Sequence, residues 1–274
     1  MNKILLGMVL VGSTALAINE VQTVGVAASY TNTMYKAENQ FVPIPLINLN
    51  YERFFIRGLK PGFKIYEEPE FNFSIVVDPL AGYFDGWYIK GSDMKEGYKN
   101  IDDRDYQFMY GLEANYNFTD DVFGTLGYMW GSDGSKGELA ITHVKYLTDR
   151  LVFMPSFSLK YYDNKFVDYY VGVTKEEALK NSKIDKEYNT NDSFTAGITI
   201  TFEYAATEQT TISVFGGYDY FDDKIADSPI VDKNGQFWQL ALWAESNRRN
   251  GRRHSAWRCR LHRLNHALYD PRLS

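Results

Sequence analysis

The stretch FTAGITITFEY, residues 194–204, decides the fold. Phe194, Ala196, Ile198, Ile200, Phe202 and Tyr204 alternate with Thr195, Gly197, Thr199, Thr201 and Glu203. A period of two puts these sets on opposite faces of a β-strand. Strands of a soluble sandwich alternate as well, so the order within the apolar face has to decide. Here aromatics stand at both ends and smaller aliphatics in the middle. That sorting is expected when the ends of a strand lie at two lipid–water interfaces and its centre lies in hydrocarbon. The length agrees, since a tilted strand crosses a bilayer with about 9–11 residues.

Residues 106–118 repeat the arrangement, with Tyr106, Phe108, Tyr110, Leu112, Ala114, Tyr116 and Phe118 on one face. Weaker versions occupy 71–80, 122–131, 151–162 and 210–221, and further strands are read at 138–147 and from 235 onward. Outer-membrane barrels combine short periplasmic turns with longer external loops. The longer links 222–235, 163–192 and 132–137 alternate with the short ones 205–209, 148–150 and 119–121, which makes 81–105 external too. A periplasmic N-terminus then requires an odd number of strands in 22–80, and five are found, at 22–35, 45–50, 53–58, 61–66 and 71–80. The expected fold class is all-β: a transmembrane antiparallel up-and-down β-barrel of about 12 strands, within a range of about 10–14.

The N-terminus supplies the compartment. Lys3, the apolar run Ile4–Val11 and the small-residue sequence Ala15-Leu16-Ala17 form a secretory signal peptide, cleaved after Ala17. An uncleaved helical anchor would need about 20 apolar residues, more than this run provides. With no Pro/Ser-rich linker, residues 18–244 read as one barrel domain. The chain has 21 Tyr and 18 Phe but one Cys, so aromatic packing rather than disulfides holds this exported protein together.

Beyond Ala244 the composition changes abruptly. Residues 245–274 hold eight of the twelve Arg, three of the four His, the single Cys and only two acids. Residues 1–244 are left with 21 basic and 33 acidic residues, a net charge of −12, which argues against nucleic acid as a partner. In the tail Arg replaces Lys altogether, and alternation stops partway through a strand that has just begun with QFWQLALW (236–243). A frameshifted or fused reading frame, disordered in the product, accounts for all of these features. The alternative is a basic arm that pairs with phosphate or carboxylate groups of the envelope.

Catalytic chemistry finds little support. His143 is the only histidine before the tail, and any Ser/His or Asp/His site would have to use it. Asp102, Asp103 and Asp105 lie in the 81–105 loop with no spacing that ties them to His143. No catalytic, metal or cofactor site is assigned. His254, Cys259, His262 and His266 have no recognised zinc spacing and are interleaved with arginines that would repel a cation. The acidic pairs Asp120-Asp121 and Asp222-Asp223 read as solvated turns. Charged runs such as 174–188 read as solvated loop, with a short external helix possible over 174–181.

Three segments, PIPLINLNYERFFIRG (43–58), DYYVGVTKEEA (168–178) and DDKIADSPIVDKNGQFW (222–238), are similar in sequence and order to the MltA-interacting protein (MipA)/OmpV family of outer-membrane proteins. The resemblance covers roughly residues 22–243. It implies localisation in the outer membrane, contact with its lipid and lipopolysaccharide, and a non-catalytic scaffold role in the cell envelope. The partners it implies are a lytic transglycosylase and a peptidoglycan synthase. A narrow diffusion pore, suggested by the small polar face of 194–204, and an adhesin are alternative roles; a barrel hydrolase using His143 ranks below them. Within the shared segments, Asp227 and Ser228 are placed to bond their own loop backbone and Pro229 to fix φ. Gly172 is placed to allow a close backbone approach. These residues, with Tyr169 and Tyr170, are the candidate loop-ordering or partner-contact positions.

The reading of the tail has a direct test. Replacing residues 244–274 with a short alternating segment ending in Phe, the C-terminal residue the resembled family implies, is expected to raise the yield of folded barrel in isolated outer membranes. A deletion that abolishes partner binding while assembly stays normal would instead identify a functional arm.

Overall fold

In the computed structural model the described residues are 22–31, 33–37, 40–83, 85–207, 210–232 and 234–247. The segment read as a signal peptide and the tail beyond Asn247, with His254, Cys259, His262 and His266, lie outside them. The strands are β1 (Gln22–Thr31), β2 (Gln40–Tyr51), β3 (Phe54–Gly58), β4 (Lys60–Glu67), β5 (Phe71–Ala81), β6 (Gln107–Asn117) and β7 (Val122–Gly131). There follow β8 (Gly134–His143), β9 (Lys145–Tyr146), β10 (Leu151–Tyr162), β11 (Ser193–Ala205), β12 (Thr210–Phe221) and β13 (Gly235–Asn247). Among the described residues three α-helices, α1 (Asn164–Val171), α2 (Lys175–Lys180) and α3 (Asp223–Ala226), and one 3-10 turn (Gly91–Asp93) interrupt them.

Every pairing is antiparallel and, apart from the closing β13–β1 pair and the short β9, joins chain neighbours. β13 pairs with β1, and β10 pairs with both β8 and β11, so the order closes into a ring, in which the short β3–β4 hairpin leaves residues 40–46 of β2 and 77–78 of β5 paired on one side only. β9 lies along β10 in line with β8, and the two form one broken stave, leaving twelve staves. The break has a cause in sequence. Pro155 on β10 has no N–H to give to a neighbour, and it falls between the β9 pairing at Val152 and Phe153 and the β8 pairing that starts at Ser156. Opposite it, the Val144 N–H turns away to bond Asp121 O at 2.7 Å. Pro79 likewise sits in the register shift between Asp78 and Ala81 where β5 meets β6.

The faces follow the sequence. Phe194, Ile198, Ile200, Phe202 and Tyr204 are exposed on the outer wall, whereas Thr195, Thr199 and Thr201 are buried inside. The same alternation holds on β6, where Phe108, Tyr110, Leu112 and Tyr116 point out while Gln107, Met109 and Asn115 are buried. An exterior this apolar matches hydrocarbon, not water.

All the long connections, 32–39, 82–106, 163–192 and 222–234, emerge at one end of the barrel. The other end carries 52–53, 68–70, 118–121, 147–150 and 206–209, with the start of β1 and the end of β13. Four boundaries depart from expectation: the first strand, read as 22–35, ends at Thr31, and Tyr35 joins Val231 in the loops. The link expected at 132–137 is a two-residue turn at Ser132-Asp133, because β8 begins at Gly134 and pairs with β7 at once. The second strand starts at Gln40, not Asn-rich 45–50 alone, and pairs with β1 through Pro43 and Pro45. β13 extends to Asn247, three residues past the composition break, and pairs there with Gln22.

Adjacent residues on β11 test the face assignment. Ile198 is 54% exposed and Thr199 5%. Ile198→Arg is expected to cost about 2–4 kcal/mol near the bilayer midplane and Thr199→Arg much less, as measured by refolding equilibria in lipid vesicles. Equal penalties would contradict the barrel.

Candidate functional site

The four long loops pack into a cap over their end of the barrel, and the hydrophobic core of the molecule lies there. Trp87 is at its centre, 2% exposed, with ring centroids 4.8 Å from Tyr162, 5.2 Å from Phe166 and 5.5 Å from Tyr170. Such aromatic pairs contribute about 0.5–1.5 kcal/mol each beyond burial. Short bridges join the loops, with Tyr35 opposite Val231 and Ala37 opposite Met94, and Ile89 opposite Arg104 braces 82–106 internally. The Tyr35 hydroxyl donates to Trp87 O at 2.6 Å and lies 3.1 Å from Tyr170 O. Burial holds its pKa well above the usual tyrosine value.

Helix α1 starts where the sequence supplies a cap. Asp163 accepts from Phe166 N at 2.8 Å, while its other oxygen accepts from Ser135 N at 2.9 Å and Ser135 Oγ at 2.6 Å. One carboxylate thus fixes the helix to the β7–β8 turn. Gly134 permits this closeness: its φ is +112°, and a Cβ there would lie 2.3 Å from Phe166 N.

Arg104 and Glu177 lock two loops together. Their side chains, 8% and 2% exposed, meet at 2.8 Å. Arg104 also donates to Gly172 O at 3.0 Å and Asp102 O at 3.1 Å. Glu177 accepts from Asp102 N at 2.9 Å and Thr174 N at 2.8 Å, completing a capping box on α2. Burial alone would raise the Glu177 pKa, but the Thr174 and Asp102 amides and the Arg104 charge hold it below the usual range.

The candidate positions from the sequence converge on this cap. Tyr170 is fully buried and donates to Asp105 O at 3.0 Å, while Tyr169 Oη accepts from Asp105 N at 3.0 Å. Gly172 ends α1, where a Cβ would fall 2.3 Å from Asp168 O. Ser228 is buried and donates to Val171 O at 2.6 Å, joining the 222–234 loop to α1. Pro229 O accepts from Lys36 Nζ at 2.7 Å. Asp227 caps α3 through its backbone, its N–H bonding Asp223 O at 2.8 Å.

Below the cap lies a lumen cavity of about 220 Å³. Trp87, Tyr162 and Phe221 line it from the cap side, and charged residues bridge its walls. Arg57 meets Glu113 at 2.5 Å and Lys60 meets Asp78 at 3.0 Å. Lys160 on β10 meets Asp219 on β12 at 2.9 Å across the intervening β11. Gly197 stands in register between Ser158 and Asp219, and a Cβ on it would come within 2.3 Å of Asp219 Oδ1. Asp85 descends from the cap to pair with Lys136, and although burial opposes it, Lys136 and then Lys60 keep its carboxyl below the usual range. None of these pairs was legible in the sequence, because each needs the register between strands.

The structure separates His143 from the external acids of the hydrolase reading. His143 Nε2 lies 3.2 Å from Asp121 Oδ2 at the short-turn end. Asp102, Asp103 and Asp105 belong to the cap at the opposite end, on the order of 30 Å away along a ten-residue stave.

The family model for "MltA-interacting protein MipA" matches residues 24–241. The chain is 29% identical over 235 residues to the "24 kDa outer membrane protein" of Pasteurella multocida (strain Pm70), covering 81% of this chain and 89% of that protein. It is 24% identical over 241 residues to the "MltA-interacting protein" of Escherichia coli (strain K12), covering 84% and 92%. Among solved structures it is similar to the NanC porin, with TM-score 0.45, 8% identity, and coverage of 80% of this chain and 98% of that one.

The cap has its own pH dependence. Glu177 is held below its unfolded value, so its contribution is complete above the ordinary Glu pKa of about 4.3 and is lost as pH falls through the folded value. Glu177→Ala is expected to destabilise the cap by about 3–5 kcal/mol, since it strands Arg104. The measurement is limited proteolysis of 82–106 and 163–192 in the folded barrel. The variant is expected to be cleaved at neutral pH, and the parent only on acidification.

Proposed function

The chain belongs to the MltA-interacting protein MipA family, and from that premise we propose that this outer-membrane protein is a non-catalytic scaffold which docks peptidoglycan-remodelling enzymes. The partners proposed are a lytic transglycosylase and a peptidoglycan synthase. The observation that supports this most is how the long loops are used. Instead of framing an open mouth or a reactive cleft, they bury Trp87, Phe166, Tyr170, Ile225 and Ile230 against one another. That packing yields a rigid plug on a rigid barrel, which suits holding partners more than passing solutes or turning them over. Docking is assigned to the short-turn end, the periplasmic one by the usual architecture of outer-membrane barrels. Its turns are exposed and charged, with Glu68, Glu70, Asp120, Asp121 and Arg150.

The test is affinity purification from detergent-solubilised envelopes, with partners identified by mass spectrometry. A lytic transglycosylase is expected to co-purify, and charge reversal at Glu68, Glu70, Asp120 and Asp121 is expected to release it. Recovery of the folded barrel without any murein-remodelling enzyme would sink the proposal. The polar lumen favours a pore as a second reading. Planar-bilayer recordings are expected to show no constitutive conductance steps, because the cap lies over the lumen.

A further inference from the structure

Between β2 and β5 the barrel wall is incomplete. β3 has five residues, about half of the 9–11 that a tilted strand needs to cross, and the chain reverses into β4 at Gly58 and Leu59. Gly58 makes that turn with φ +66°, and its N–H donates to Asn48 Oδ1 at 3.1 Å, so β2 holds the reversal in place. The hairpin starts from the short-turn end and therefore stops near the middle of the bilayer. Above it β2 runs on through residues 40–46 with β1 as its one partner, and Val77 and Asp78 of β5 pair with β6 alone. At the hairpin tip β2 and β5 stand three strand spacings apart, about 14 Å. The gap above the tip faces the leaflet on the cap side.

The sequence keeps another strand out of this gap. Tyr51 and Phe54 pair directly across the turn at 52–53, so odd-numbered residues of β2 turn their backbone groups toward β3 and even-numbered ones toward β1. Pro43 and Pro45 are odd. Their missing N–H groups lie on the gap side, and the pairing with β1 runs past them unbroken. That edge offers carbonyl oxygens and few donors, and unpaired carbonyls are borne more readily than unpaired N–H groups. A strand from a second copy has to give and take bonds, so it finds no ladder to join. Pro61 beside the tip and Pro79 on β5 complete the border, and the lipid of the leaflet is left as the occupant.

The lumen behind the gap suits an alkyl chain. Lys60, at the tip, lines the lumen and pairs with Asp78, yet 33% of its side chain is exposed, against 12% for Lys136 and 10% for Lys160 on the continuous wall. Just below the tip one cross-strand row runs Phe55, Gly62, Val76, Gly111, Met129 from β3 to β7. The Phe55 ring covers Gly62 and the Met129 side chain covers Gly111. Phe55, Val76 and Met129 thus form an apolar shelf on the lumen wall, in one cluster with Trp87 of the cap.

We propose that the gap is a lateral entrance through which the acyl chain of a lipid in the cap-side leaflet reaches the lumen and lies on the shelf of Phe55, Val76 and Met129. With the cap over the axial end, this side opening joins the lumen to the membrane. The site goes beyond the scaffold reading and does not depend on it.

The test uses the full-length protein folded into dioleoylphosphatidylcholine vesicles, with the photo-crosslinker p-benzoylphenylalanine in place of Phe55. After irradiation a phospholipid adduct is expected by mass spectrometry. The same probe in place of Phe123 is expected to give none, since that residue is also buried and lumen-facing but lies six residues from Met129 along β7, about 20 Å away. Lengthening β3 and β4 at their tip in a Pro43→Val, Pro45→Val background supplies the missing ladder and is expected to abolish the adduct at position 55. Heat-modifiable migration on gels establishes that each variant is folded, and Met129 carries the probe if the Phe55 variant is not. No adduct from the folded protein, equal adducts at 55 and 123, a crosslink to a second copy, or an adduct that survives the lengthened hairpin would each overturn the proposal.

Discussion

In hydrocarbon no water pairs a backbone N–H or C=O, so every such group in a spanning strand needs a partner within the protein. The rest of this structure depends on that requirement. It demands closure, which the β10–β11 and β13–β1 pairings provide. A proline is tolerated where the ladder is interrupted or missing on one side: Pro155 and Pro79 stand at interruptions, and Pro43 and Pro45 lie on the part of β2 that pairs with β1 alone. A closed ring with one face in lipid also forces the period of two, because each strand must present apolar groups outward and keep the rest inside.

Closure leaves the interior without the apolar filling of a soluble core. The lumen is held instead by ion pairs that reach between strands, and the apolar core is moved into the cap. The division is physical: residues facing lipid cannot also pack on each other across the barrel, so an aromatic cluster such as Trp87, Phe166 and Tyr170 can form only where loops leave the membrane. Arg104 and Glu177 then fix two of those loops at a buried pair, a geometry costly to break by removing one partner. The outcome is a stiff body with one plugged end and one end of short charged turns, and the proposed docking role follows from that asymmetry.

The strands were the most legible part of the sequence, because burial on one face imprints alternation directly. Residues 106–118 and 194–204 read almost as they fold. Where the pattern was weak the reading slipped. Gly134 and Gly137 look like loop residues, yet Gly134 makes room for α1 and Gly137 lies beneath the Tyr128 ring. Pro43 and Pro45 hid the first half of β2 for a similar reason. The shared segments pointed to Tyr170, Gly172 and Ser228, whose contacts are with residues 35, 104 and 171. Those partners, like Lys160 and Asp219 across β11, are set by three-dimensional proximity that no local pattern encodes.

Nitroxide accessibility along β11 tests the barrel most directly. Single labels at positions 194 to 204, introduced in a Cys259→Ser background and reconstituted in lipid, would be probed with oxygen and with a polar nickel chelate. The account predicts that labels at 194, 198, 200, 202 and 204 favour collision with oxygen, that labels at 195, 199 and 201 do not, and that the alternation has a strict period of two. A flat profile, a helical period, or the opposite phase at 198 and 199 would contradict it.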